Sequence, residues 1–246
     1  MDLIMMILKI IILVIPAYII AAAAHESGHL IAGLLNKWRF FCFAAGPLTI
    51  YREDPEGRIR FALSKDLMSW LGYSATIPAK GKDEDADLFA KVLIGGPIAS
   101  FVTGLIFLAL FLLTRTDICA MTAMVAAAQG ISTALPLNVR SGAVRNDGVR
   151  YLDIRKGGKR GAEEKAAFLI AAGNVTSPDC PSDEALIRTL TESEDVITRF
   201  GGLSYAKRNA ALTGDKERLA SLEAQIALIA DKVPESVRNS YAEACR

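Results

Sequence analysis

Three stretches of the chain are apolar enough and long enough to cross a lipid bilayer. The first runs from Leu3 to Leu35 with Lys9 inside it, and the second covers Phe89 to Leu113, "FAKVLIGGPIASFVTGLIFLALFLL". The third, Cys119 to Leu137, "CAMTAMVAAAQGISTALPL", carries no charged residue. At about 1.5 Å per residue, a helix over the first stretch exceeds the roughly 30 Å of a hydrocarbon core. Pro16 is placed to kink it.

Between residues 38 and 80 the pattern changes to short runs of β type: "RFFCFA", "PLTIYR", "IRFALS" and "YSATIPA". Gly46, "DPEG" at Asp54 to Gly57, and Gly72 punctuate them, which predicts a small antiparallel sheet at the membrane surface. After residue 150 the chain turns polar. A helical run is predicted near Ala162 to Ala172, followed by a linker, "NVTSPDCPSD", from Asn174 to Asp183. Leu219, Leu222, Ile226 and Ile229 then repeat at three and four residues after the turn "TGD", as one apolar helix face does. The block from Tyr205 to Ser236 resembles a tetratricopeptide-type hairpin, and a plain helical bundle fits it as well. The expected architecture is an α-helical integral membrane protein with a three-helix transmembrane core, a small membrane-surface β-sheet and a C-terminal soluble helical domain. Residues 1–155 would form the membrane-embedded core, with spans of about 3–35, 89–113 and 119–137 and a β-type loop over 38–80. Residues 156–246 would form the soluble part.

Composition agrees with a membrane protein. Of 246 residues, 52% are hydrophobic and the mean hydropathy is +0.30, high for a soluble chain. A formal net charge of +1 provides no general attraction to nucleic acid, and no nucleic-acid motif is present, so no such partner is expected. The four cysteines, Cys42, Cys119, Cys180 and Cys245, lack CxxC spacing and read as packing residues. A cleavable secretory signal at the N-terminus is disfavoured: no basic segment precedes the apolar run, Lys9 lies within it, and apolar residues resume at Leu30.

Basic residues flanking spans are retained on the cytoplasmic side. Lys37, Arg39, Arg52, Arg58, Arg60, Lys65, Lys80 and Lys82 lie in the long loop, and Arg140, Arg145, Arg150, Arg155 and Lys156 follow the third stretch. The connection "TRTD" has Arg115 alone. The expected topology therefore has the N-terminus outside and the long loop and C-terminal domain in the cytoplasm of a multi-pass protein.

Both histidines of the chain lie in the first stretch, in "HESGH". Residues four apart share a helix face, so His25 and His29 can aim at one metal ion with Glu26 beside them. This is the HExxH pattern of zinc hydrolases, in which the glutamate is the general base toward water. A structural pairing of buried histidines is the bland alternative, but a glutamate at bilayer depth is costly and usually marks a site. Two histidines leave a catalytic zinc one protein ligand short. The best-placed carboxylate is Asp147, which follows the third stretch and precedes the flexible Gly148, although Asn146-Asp147-Gly148 is equally a surface-turn sequence. Glu163, Glu164 and Glu184 are rival carboxylates in soluble-looking sequence, and a thiolate is a poorer one.

HESGH in an apolar helix, "GGP" at Gly95 to Pro97 in the next stretch, and "LP...NDGVRYL" after a third together resemble the site-2 protease family of intramembrane zinc metalloproteases. The resemblance spans roughly residues 1 to 155. Thr133 or Ala134 stands where the family often has an asparagine, and the "TRTD" connection is too short to hold a PDZ domain, which makes this a PDZ-less member. The resemblance implies one Zn²⁺ per chain, held by His25, His29 and Asp147, with Glu26 as catalytic base. Gly95, Gly96, Pro97 and Asn138 would border the active cavity. The implied activity is hydrolysis of peptide bonds in or near transmembrane segments of membrane-protein substrates. The implied partners are those substrates and the lipid bilayer, with the C-terminal helices offering a surface for a further protein. The alternative is a catalytically silent membrane scaffold that binds partners through those helices.

Overall fold

The computed structural model describes residues 3–65, 69–78, 83–137, 140–141 and 144–245. The chain is mostly helical and carries one four-stranded antiparallel sheet and a two-stranded hairpin. It packs as two compact units, Met1–Ala79 with Leu88–Leu137, and Lys80–Asp87 with Asn138–Arg246.

In the first unit, α1 (Leu3–Leu35) is one continuous helix through Pro16. It ends in a Schellman turn: the Trp38 N–H donates to the Gly33 carbonyl at 3.0 Å and the Lys37 N–H to that of Leu34 at 2.9 Å. Lys37 takes the left-handed position, φ +63°, that glycine usually fills. The turn sends the chain directly into β1 (Arg39–Ala45), followed by β2 (Leu48–Arg52), β3 (Ile59–Leu63) and β4 (Tyr73–Ile77) in the order β3-β2-β1-β4. Ala45 pairs with Leu48 across a two-residue loop. Gly46 has φ +57° there, and since Pro47 cannot take a positive φ, the turn is of the type II′ class that matches strand twist. Between β1 and β4 the register shifts at Phe40/Cys42, a bulge, and β4, at the edge of the sheet by its strand order, packs against α1. The four β-type runs of the sequence are thus the four strands.

Helix α2 (Asp83–Thr114) begins six residues before the expected second span, and α3 (Asp117–Ala134) follows after Arg115 and Thr116. Ile4–Leu35 and Asp85–Thr114 are long and apolar enough to cross a membrane, and only 11% and 22% of their apolar windows is buried, so neither is a core helix. Among the described residues no third helix is as long and as apolar, and α3 is shorter. It has 18 residues, about 27 Å, and stops at Ala134 because Leu135, ahead of Pro136, turns extended at ψ 137°. Lys9 on α1 forms an ion pair with Asp117 at the start of α3, so the two helices run in the same direction.

In the second unit a short hairpin, β5 (Arg140–Ser141) and β6 (Val144–Arg145), leads into α4 (Asp147–Lys156). Asn146 is not a turn residue but the helix cap, its side chain accepting from the Val149 N–H at 3.0 Å. Helices α5 (Gly158–Thr176), α6 (Glu184–Thr191), α7 (Val196–Thr213), α8 (Lys216–Ala227) and α9 (Glu235–Ala244) complete it. The linker expected from Asn174 starts only at Ser177, because α5 carries on to Thr176. The predicted "TGD" turn is present: Gly214 closes α7 in the left-handed conformation and Asp215 caps α8. The core gathers Ile170, Ile187, Leu190, Phe200, Leu203, Leu222 and Val237. Leu222 and Ile229 are buried, with Leu219 and Ile226 packed against the same core, as the three-and-four spacing requires.

Candidate metal centre

The motif's spacing of four on α1 meets the same spacing on α2. Val92, Gly96 and Ser100 form one stripe of α2, and each end of it holds a histidine. The His25 Nδ1 lies 2.9 Å from the Ser100 hydroxyl, both groups being buried. The His29 Nδ1 lies 2.8 Å from the Val92 carbonyl oxygen. A carbonyl only accepts, so a neutral His29 carries its proton on Nδ1 and turns its Nε2 lone pair toward the other ring. The Nε2 atoms of the two rings face each other at 3.2 Å, with the rings nearly perpendicular at 86°. Two nitrogen ligands at about 2.0–2.1 Å from a tetrahedral zinc are about 3.3 Å apart, so the pair is spaced as zinc ligands are. Anchoring the distal ring nitrogen of each histidine is what metal sites do to fix tautomer and orientation.

Gly96 sits midway along the stripe. A Cβ there would come within 2.4 Å of His29 Nε2 and 2.7 Å of His25 Nε2, so the space between the imidazoles exists because residue 96 has no side chain. Gly95 has a different task. An added Cβ would lie 2.5 Å from the Gly28 carbonyl, and one on Gly28 would lie 2.2 Å from the Gly95 carbonyl, so α1 and α2 touch backbone to backbone there. Pro97 is fully buried. Asn138 lies outside the described residues.

Glu26 projects toward the edge strand of the sheet. Ser74 on β4 donates its hydroxyl hydrogen to Glu26 Oε2 at 2.6 Å. Gly72, at φ +95°, lets the strand approach closely, since an added Cβ would meet Glu26 Cγ at 3.1 Å. Ser74, Ser100, Gly72 and the Val92 carbonyl carry no sequence signal of a role in the site. Their partners lie 46 to 75 positions away.

His25 and His29 belong to the first unit and Asp147, the first residue of α4, to the second; among the described residues these three are the set of His, Cys, Asp or Glu that could hold a metal ion. The rival carboxylates are engaged otherwise. Glu164 takes Arg145 at 2.7 Å and Arg150 at 2.8 Å. Burial alone would raise its pKa, but these two guanidiniums outweigh that and hold it below the usual carboxylate range. Glu184 accepts from Arg218 at 2.6 Å and Asn209 at 3.0 Å, and the Arg218 hydrogen bond leads the causes that lower its pKa. Glu163 lies 3.6 Å from Arg160. Burial pushes the Cys42 and Cys245 thiols up to about 11, away from the thiolate form a metal needs.

Ser100→Ala removes the anchor of His25 without touching a ligand atom. Zinc affinity is expected to fall about 10–100-fold, read by competition with a chelator, while Ser100→Thr retains most of it. No protein-family model, curated protein or solved structure matches this chain.

Proposed function

We propose that the protein is an intramembrane zinc metalloprotease of site-2 protease type, cleaving membrane-spanning or membrane-proximal segments of other proteins. The observation that carries this is the pair of Nε2 atoms 3.2 Å apart on an apolar helix, each ring fixed from behind, and Asp147 would be the third ligand. Helices α1, α2 and α3 would be the three membrane spans, with the N-terminus outside and the C-terminal helices in the cytoplasm.

A zinc ion bound by His25, His29 and Asp147 would polarise the scissile carbonyl and lower the pKa of water. Glu26 accepts the proton from the attacking water and passes it to the leaving amine nitrogen, so that one water and one peptide bond give a carboxylic acid and an amine. Ser74 holds the Glu26 carboxylate in place for that transfer. The substrate must present extended backbone, and β4, an edge strand of the sheet, would pair with it by strand addition.

The test is zinc per chain in detergent-purified protein. About one zinc is expected in the unaltered chain, largely lost in Asp147→Ala. A metal-supplied, chelator-free preparation of the unaltered chain that holds none would sink the protease reading and favour the scaffold.

A further inference from the structure

We infer that Glu164 is a positioning residue for the metal ligand Asp147, acting as a clamp on the backbone that carries it. This rests on the proposed metal centre and adds to it a role for helix α5.

Arg145 stands two residues before Asp147 and Arg150 three residues after it. Glu164 reaches both. Its Oε1 accepts from Arg145 Nη2 at 2.7 Å and Nε at 3.3 Å, and its Oε2 accepts from Arg150 Nε at 2.8 Å. One carboxylate on α5 thus grips the chain on either side of the ligand. Arg145 Nη2 also contacts Asp153 Oδ2 at 2.8 Å. The side chains are well covered, with Arg145 at 9%, Glu164 at 12% and Arg150 at 17% exposure, so this is no solvated surface pair whose geometry drifts. Two guanidiniums face the carboxylates of Glu164 and Asp153, and removing Glu164 leaves buried positive charge uncompensated beside the ligand. Between the two arginines, the Asn146 side chain caps the first turn of α4. Asp147 is the first residue of that turn, so little of its backbone freedom remains. A carboxylate ligand on a short side chain takes its position from its backbone, and the clamp sets that backbone.

The experiment measures the zinc dissociation constant of the full chain in detergent, by chelator competition, for Glu164→Gln in the unaltered background and in Asp147→Ala. Glu184→Gln, which breaks the Arg218 pair elsewhere in the same unit, is the control. Glu164→Gln is expected to weaken zinc about 10–100-fold, the range for groups that orient ligands. It should do nothing further once Asp147 is alanine, and Glu184→Gln should leave affinity unchanged. An affinity within twofold of the unaltered chain overturns the inference. So does an equal loss in both backgrounds, which would mean that Glu164 acts through the fold at large. Should Glu164→Gln fail to fold, Glu164→Asp keeps the charge and shortens the reach, and it is expected to weaken zinc by less than about tenfold in the same Asp147-dependent way. An unaltered chain that binds no zinc would remove the metalloprotease reading itself, whereas a zinc-binding chain indifferent to Glu164 removes the clamp alone.

Discussion

Replacing Gly96 with alanine is expected to abolish zinc binding while leaving the protein folded. The added methyl would stand 2.4 Å from His29 Nε2 and 2.7 Å from His25 Nε2, in the space a shared ligand would fill. Something must move, and the imidazoles are the movable party, because each is the far end of a side chain whereas residue 96 is part of a helix backbone. Swinging either ring breaks its hydrogen bond to Ser100 or Val92 and carries a donor atom away from the site. The fold loses at most these two bonds, about 1–3 kcal/mol together, but the site loses its geometry. Gly28→Ala and Gly95→Ala are the contrast, since their methyls would meet backbone carbonyls at 2.2 and 2.5 Å and force α1 from α2. Zinc per chain, read beside far-ultraviolet circular dichroism and the thermal midpoint, separates the cases. A full zinc content in Gly96→Ala would mean that the metal does not sit between these rings.

The contrast also marks where sequence patterning stops. "HESGH" and "GGP" stand out in the sequence because they pair unusual residues with an apolar setting, yet nothing in them tells Gly95 from Gly96. That distinction depends on the rotation of α2 about its axis, which only the packed helices define. The sheet was legible from alternation and turn residues, and its register placed Ser74 against Glu26, a pairing across 48 positions that local pattern does not carry. α3 was expected to reach Leu137 because hydropathy ignores backbone geometry, whereas Pro136 ends the helix at Ala134. Asn146-Asp147-Gly148 has the composition of a turn and serves as a helix start, since an asparagine that can turn a chain can also cap an N-terminus. The exposed apolar surfaces of α1 and α2, by contrast, followed directly from composition.

Glu26→Gln is expected to cut peptide hydrolysis about 10²–10⁴-fold and to leave zinc at about one per chain. The substitution keeps shape, and its amide oxygen still accepts the Ser74 hydroxyl that now binds Glu26 Oε2 at 2.6 Å, so β4 stays against α1. What is lost is the capacity to take a proton from water and return it to the leaving amine. A base that is no ligand should therefore split the two readouts, whereas Asp147→Ala should lose both together. The measurement pairs zinc content with product formation from a single-span membrane polypeptide in detergent. Loss of zinc from Glu26→Gln would place Glu26 among the ligands or among the residues that hold α1 in shape. Retained hydrolysis would leave the proton to another group, and Ser74, already in contact with that carboxylate, would be the first to substitute.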